Sequence, residues 1–435
     1  MDRLTRNICD FLWYSFLPCA ERAQQKSTDY SALIEDDSVE VFDRHSTVSM
    51  KDLLCRIIDE QTTKLGADTV LLPLSAGLDS RGILGALLEI FEEKSIIAYT
   101  MGHVGMADHD LARHYTRGVL TNHHIIGVEE TAWETSGIVA KVRRKPEGRV
   151  VGIGEFQEGP VGSVLGLDPA VPSLVGYLGD AVSGKKLPKI ISGCWAEAVG
   201  QFVRRNHAYK GDMEILPPGY DPIASLPPQP LAGSMRILLD DQLDLCFRQE
   251  QRIRPAASLV SESGSRASGD SPLGDRPLIG PYADSRWVRS FLRVPTRLRM
   301  DQKLYLKFLA RRFRQIFPDL QESHGGPRSA RRRLLRALIK RKPPSGQRSK
   351  FHVDFDHLFH ANPRFRRFCE ENVHDLARRR VVEWIDLDGL LARLRGRAEG
   401  TYGRLLYALV SLEINFKAGK LAANASFGAT PTQAD

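Results

Sequence analysis

The sequence predicts an α/β protein: a doubly wound, mainly parallel sheet followed by a helical C-terminal region. Two observations carry this expectation. Residues 46–200 alternate short β-rich runs with helical segments and many glycines, which is how βαβ units read. From Gln201 the pattern turns helical, and over residues 282–420 it is also basic and amphipathic. A chain of 435 residues holds two domains, or one large α/β domain with a helical extension.

Taken in order, residues 1–45 mix short apolar runs with acidic turns and no clear period, and read as a linker-like segment. Leu53, Leu54, Ile57 and Ile58 fall at helical intervals and predict a helix over Met50–Leu65. Asp68–Leu74 reads as a buried strand. Ser80–Phe91 reads as a helix with Ile83, Leu84, Leu87, Leu88 and Phe91 inward. Ser95–Thr100 and His124–Val128 read as second and third strands. A Pro-rich stretch spans 217–230, and a Ser/Gly stretch over 256–274 predicts a mobile surface loop. The chain thus divides into 1–45, an α/β domain over 46–320, a basic helical region over 321–420 and a frayed tail over 421–435. It has no internal repeat.

Composition excludes several classes. Hydrophobic content of 42% and charged content of 26% are those of a soluble globular protein. No eighteen-residue apolar run predicts a membrane span. Asp10, Trp13 and Tyr14 spoil a signal-peptide reading of the start, so a cytoplasmic location and no membrane partner are expected. The six cysteines include no C-x-x-C pair, which argues against a zinc ribbon or thiol-redox site. The net charge of +8 is concentrated between Arg328 and Lys350. Such a block suits RNA, a membrane surface or an anionic substrate, but a solvated basic helix is the ordinary reading, and nucleic acid is not the expected partner.

The turn between first strand and helix reads Leu74-Ser75-Ala76-Gly77-Leu78-Asp79-Ser80. Small residues let backbone amides approach an anion, and the following helix N-terminus adds roughly half a positive charge. The Walker spacing and its lysine are missing. A plain capped turn is the alternative. The string resembles the PP-loop, S-G-G-x-D-S, of ATP pyrophosphatases, with Ala76 at the first glycine. That resemblance implies an ATP site at Leu74–Ser80, with Asp79 a magnesium ligand, since a carboxylate cannot serve phosphate directly.

Downstream, Gly176-Tyr177-Leu178-Gly179-Asp180-Ala181-Val182-Ser183-Gly184 resembles the S-G-x-G-x-D-E-x-x-G-G segment of asparagine synthetases and β-lactam synthetase. The resemblance implies that Gly176 and Gly179 line the nucleotide and that Asp180 supplies magnesium with a second carboxylate. Tyr177 stands where asparagine synthetases carry glutamate and β-lactam synthetase carries tyrosine. It is a candidate to deprotonate the attacking amine, with packing beside the nucleotide as the equal alternative. Ala98-Tyr99-Thr100-Met101-Gly102 is similar to the family's second strand, whose backbone frames adenine, so Thr100, Met101 and Gly102 join the expected nucleotide contacts. Gly280-Pro281-Tyr282-Ala283-Asp284 resembles the family's P-F-x-D turn. The similarity covers about residues 46–320.

The implied activity is an ATP-dependent amide ligase that adenylates a small-molecule or peptide carboxylate and condenses it with an amine or ammonia, releasing AMP and pyrophosphate. ATP and Mg²⁺ are the implied cofactors. Glutamine-dependent members carry an N-terminal glutaminase domain with a cysteine after the initiator; position two here is Asp2. Nitrogen is therefore expected from free ammonia, an amine substrate or a separate donor subunit. Family members also hold the developing phosphate charge with a loop lysine, for which Lys340 and Lys342 are candidates, with Lys350 behind them. His103, His109 and the His123-His124 pair suit structural or rim roles, lacking a metalloprotease spacing. Two rival readings stay open. A PP-loop tRNA-modifying enzyme would suit the basic segment, though the missing C-x-x-C counts against thiolation. A degenerate nucleotide-binding partner subunit would suit Ala76 and the atypical second turn.

Overall fold

In a computed structural model the structure describes residues 1–15, 17, 46–102, 107–127, 133–144, 150, 152–153, 161–208, 213–226, 238–248, 276–321, 355–396 and 402–421. The expected loop over 256–274, and Lys340, Lys342, Lys350 and His103, lie outside these residues.

The α/β expectation holds. Among the described residues five strands, β1 (Val70–Pro73), β2 (Ile96–Gly102), β3 (His123–Gly127), β4 (Ser173–Leu174) and β5 (Leu278–Ile279), form one sheet in the order β3-β2-β1-β4-β5. Every pairing is parallel. The first three strands follow one another outward from β1, joined by helices α3 (Leu78–Ile90) and α4 (Ala107–Thr116). The chain then returns to the other side of β1 to lay down β4 and β5. The sheet therefore reverses direction of growth between β1 and β4, and open α/β sheets bind ligands outside the strand carboxyl ends at such a switch point.

Alternation along the strands sorts two apolar layers. Val70 and Leu72 of β1 and Ile96 and Ala98 of β2 pack with α2 (Ser46–Lys64), α3, α8 (Ser285–Leu292) and α9 (Lys303–Arg312), burying Ile57, Ile83, Trp287 and Phe308 completely. Leu71, Tyr99 and Ile126 point to the opposite face with Val161, Val175 and Leu278. Between β3 and β5 the chain adds α5 (Thr135–Arg143), α6 (Trp195–Arg205) and α7 (Leu239–Arg248).

A second core is helical. It gathers α10 (Phe355–Ala361), α11 (Pro363–Arg379), α12 (Leu387–Arg395) and α13 (Tyr402–Lys417) around Phe359, Phe365, Leu390 and Leu405. The start of α11 is set locally: Pro363 occupies its first turn, and Asn362 Oδ1 accepts from the amides of Arg364 and Phe365, the preferred capping chemistry. Within the segment 1–45, the linker-like reading needs correction for its start. Arg3–Tyr14 is a helix, α1, capped by Asp2, and its Ile8, Phe11 and Leu12 are buried in this core against α13. Asp10 hid the periodicity, because it lies on the buried face of α1, where Tyr220 Oη donates to it at 2.8 Å.

Candidate nucleotide and metal site

The two motif turns meet at the switch point. Leu74–Gly77 leaves the carboxyl end of β1, and Val175–Leu178 leaves the carboxyl end of its neighbour β4. The first turn closes on itself: Ser75 Oγ and Ser80 Oγ are 3.0 Å apart, and the amides of Ser75 and Gly77 donate to Ser80 Oγ and Ser75 Oγ, each at 3.1 Å. Gly77 then starts α3 in an extended conformation with no side-chain cap. Helix α3 thus opens with uncapped amides toward the crevice, the arrangement that attracts anions.

Thr100 acts as a strut. Its hydroxyl donates to Leu74 O at 2.7 Å and meets His123 Nε2 at 2.8 Å, while His123 Nδ1 reaches Thr116 Oγ1 at 3.0 Å. This chain ties the mouth of β1 to β2, β3 and α4. His124 bonds Asn122, so both histidines of the pair carry structural hydrogen bonds, one of the two uses the sequence left open. Met101 and Gly102 end β2 at the same edge of the sheet. Arg81, one residue beyond the motif, is buried with its guanidinium 4.0 Å from the Tyr115 ring and 4.5 Å from the Phe317 ring. It also donates to Gly77 O at 3.4 Å, and so steadies the turn from below.

The second turn is folded around Asp79. A Cβ on Gly179 would stand 2.5 Å from Asp79 Cγ, and one on Gly176 3.0 Å from Asp79 Cβ. Close approach of the two turns therefore requires glycine at 179 and admits a side chain at 176 only if Asp79 shifts slightly. Leu178 takes a left-handed conformation, φ 67° and ψ −13°, and leads into the one-turn helix Gly179–Val182. A non-glycine residue there costs roughly 1–2 kcal/mol, and Leu178 offsets it by burial in the main core. Tyr177, half-buried, packs against the apolar layers on both faces of the sheet.

Asp79 and Asp180 are thereby brought together. The Asp180 amide hydrogen-bonds the Asp79 carboxyl, while burial first and the Asp180 charge second push the Asp79 pKa up to about 7. Tyr305 Oη lies 3.0 Å from Asp79 Oδ1 and 3.0 Å from Tyr282 Oη, and Tyr282 Oη donates to Asp79 O at 3.1 Å. Burial holds both phenols protonated, with pKa values well above the usual 10. The single Tyr305 hydroxyl hydrogen is thus shared between Asp79 Oδ1 and Tyr282 Oη, while the Tyr282 hydrogen goes to the Asp79 carbonyl.

Magnesium fits this pair of carboxylates. It takes one or two carboxylates together with phosphate oxygens and water, and Asp79 and Asp180 are two carboxylates from facing turns beside an uncapped helix N-terminus. Among the described residues no group of three or more His, Cys, Asp and Glu side chains converges, so phosphate and water would complete the shell.

Several contributors carry no sequence signal of their own. Arg299 and Asp241 form a fully buried two-point ion pair at 2.6 and 2.8 Å, and Arg299 also donates to Val182 O. Gln302 donates to Ser183 Oγ at 2.6 Å from a pair of left-handed residues, Asp301 and Gln302. Together they anchor the end of the Asp180 turn. Tyr282 lies inside the Gly280–Asp284 resemblance, but its bond to Asp79 spans 203 residues. Compared with known families and characterised proteins, the chain matches no family model and no curated sequence.

Proposed function

We propose that this protein is an ATP-cleaving amide ligase that activates a carboxylate as its adenylate and transfers the acyl group to an amine or ammonia. The observation that carries the reading is the nesting of Asp79 against Gly176 and Gly179, which faces two acidic turns across the switch point of a parallel sheet. Neither turn needs that costly approach for an ordinary strand-to-helix connection.

In this reading the Ser75–Ser80 turn and the first amides of α3 receive the phosphates. Thr100 and Arg81 hold that turn in shape, and the end of β2 at Met101 and Gly102 borders the base. Bound magnesium would draw charge from the phosphates and fix their orientation. Tyr305 holds the Asp79 carboxyl and Tyr282 the Asp79 backbone carbonyl, and the Arg299–Asp241 pair steadies the backbone beneath Asp180. A substrate carboxylate oxygen attacks the α-phosphorus; the bond to the bridging oxygen breaks, and its electron pair leaves on pyrophosphate. The amine then attacks the acyl carbon, AMP departs, and Tyr177 stands on the turn from which a base would take the amine proton. Orientation of bound reactants is the main source of rate here, as effective molarities of about 10⁵–10⁸ M allow.

The test is pyrophosphate release from ATP and magnesium across panels of carboxylates and amines, with Asp79→Asn and Asp180→Asn beside the wild type. Both variants should fold and lose the activity. A variant that turned over like the wild type would remove the two-aspartate site, and a wild type that bound no ATP would remove the reading.

A further inference from the structure

The Asp180 turn continues into Gly184-Lys185-Lys186, and the reading above gives neither lysine a part. Lys185 Nζ and Lys186 Nζ each lie 3.9 Å from Asp180 Oδ2. That separation is an ion pair beyond hydrogen-bond range of that oxygen. The lysine side chains stay 57% and 37% exposed. Such exposed pairs contribute only roughly 0–1 kcal/mol to stability, so the fold gains little from holding two ammonium groups here.

The backbone beneath them is, by contrast, firmly built. Gly184 turns the chain at φ +93°, and a Cβ there would strike Arg299 O at 2.5 Å, so only glycine fits. The Lys185 amide donates to Asp180 O at 3.0 Å. Arg299, fixed by buried Asp241, donates to Val182 O, and Gln302 donates to Ser183. A rigid platform thus presents two solvent-facing cations beside Asp180, at the edge of the candidate phosphate crevice. The Lys185 charge is felt by Asp79 as well as by Asp180.

We propose that Lys185 and Lys186 are the cations that receive the pyrophosphate leaving group: they balance Asp180 in the free protein and turn to phosphate oxygens once a divalent cation occupies that carboxylate. This rests on the ATP-cleaving reading. Breaking the bond between the α-phosphorus and the bridging oxygen leaves the electron pair, and one more negative charge, on pyrophosphate. Lysine binds phosphate as a point charge without transferring a proton, and long exposed stems can follow the group as it leaves. The role expected of a C-terminal loop lysine would then be filled, or shared, by the Asp180 turn itself.

The experiment uses the full chain with Lys185→Ala, Lys186→Ala, the double variant and the double Lys→Arg variant. Calorimetry measures binding of magnesium pyrophosphate, and Mn²⁺ binding without nucleotide is followed by the resonance of the free ion. The double alanine variant should bind magnesium pyrophosphate about tenfold or more weakly, the equivalent of losing a charge-assisted bond. It should bind Mn²⁺ roughly two- to tenfold more tightly, because Asp180 has lost its competing ammonium groups. The arginine variant should restore pyrophosphate binding. Unchanged pyrophosphate binding in a double alanine variant, beside a wild type that binds both ATP and pyrophosphate, overturns the lysine assignment alone. A wild type that binds neither overturns the ATP-cleaving reading with it.

Discussion

Replacing Gly179 by alanine probes the contact on which the site depends. The added Cβ would lie 2.5 Å from Asp79 Cγ and 2.6 Å from Asp79 Oδ1, whereas unstrained carbon contacts fall near 3.5–4.0 Å. One of the two turns must move by about 1 Å. Overpacking of this kind costs roughly 1–3 kcal/mol. A displaced Asp79 also gives up the Tyr305 hydroxyl, and a hydrogen bond to a charged group is worth about 1.5–3 kcal/mol, part of which water returns. Denaturant unfolding should therefore place Gly179→Ala about 1–3 kcal/mol below the wild type. Gly176→Ala, whose Cβ would meet Asp79 Cβ at 3.0 Å, should fall between the two. Gly137→Ala is the control: nothing lies within 4 Å of its Cβ, and alanine within helix α5 should gain up to about 1 kcal/mol. Misplacement by about 1 Å should also cut exchange of pyrophosphate into ATP by about a hundredfold in Gly179→Ala. A Gly179→Ala protein as stable and as active as the wild type would refute the close nesting of the two turns.

Further outcomes follow from other contacts. Tyr177→Phe should keep carboxylate-dependent pyrophosphate exchange while slowing amide formation by about a hundredfold or more; equal loss of both half-reactions would leave the ring a packing role only. Arg299→Met strands Asp241 in the core and should cost about 3–5 kcal/mol by denaturant unfolding, while Arg299→Met with Asp241→Leu should recover most of it; a single-variant loss under about 1 kcal/mol would contradict the pair's burial. Burial raises the Asp10 pKa, so the folded state favours its neutral form, and wild-type stability should fall as pH rises from the ordinary carboxylate value through the raised one. Asp10→Asn should flatten that fall and be the more stable protein at pH 8; identical pH profiles would remove Asp10 as its source.

The parts of this molecule that were readable from sequence are those in which a short stretch carries its own reason. Leu71 and Leu72 run into small residues and then Ile83, Leu84 and Leu87 at helical spacing, so strand, turn and helix announce one another within twenty residues. Observed α3 begins at Leu78 rather than Ser80, and β2 extends to Gly102, differences of an end turn. Strands β4 and β5 have two residues each, too few for any period to register. The residues that aim Asp79 were invisible for another reason: Tyr305 reaches it across 226 positions, and no local rule pairs them. Asp241 and Arg299 look like ordinary surface charges in a charged chain. Only the fold, by burying both, makes them an anchor.

The packing of α1 against α13 has a consequence for synthesis. Ile8, Phe11 and Leu12 leave the ribosome well before the helix that covers them, which ends at Lys417. At translation rates of about 5–20 residues per second, that apolar face waits on the order of 20–80 s for its partner. During this interval the sheet domain can assemble from contacts already present, while α1 stays an exposed amphipathic segment next to a growing chain. The helical core can close only after Lys417 has emerged, so α1 is made before the other described helices of that core and waits for them to be buried.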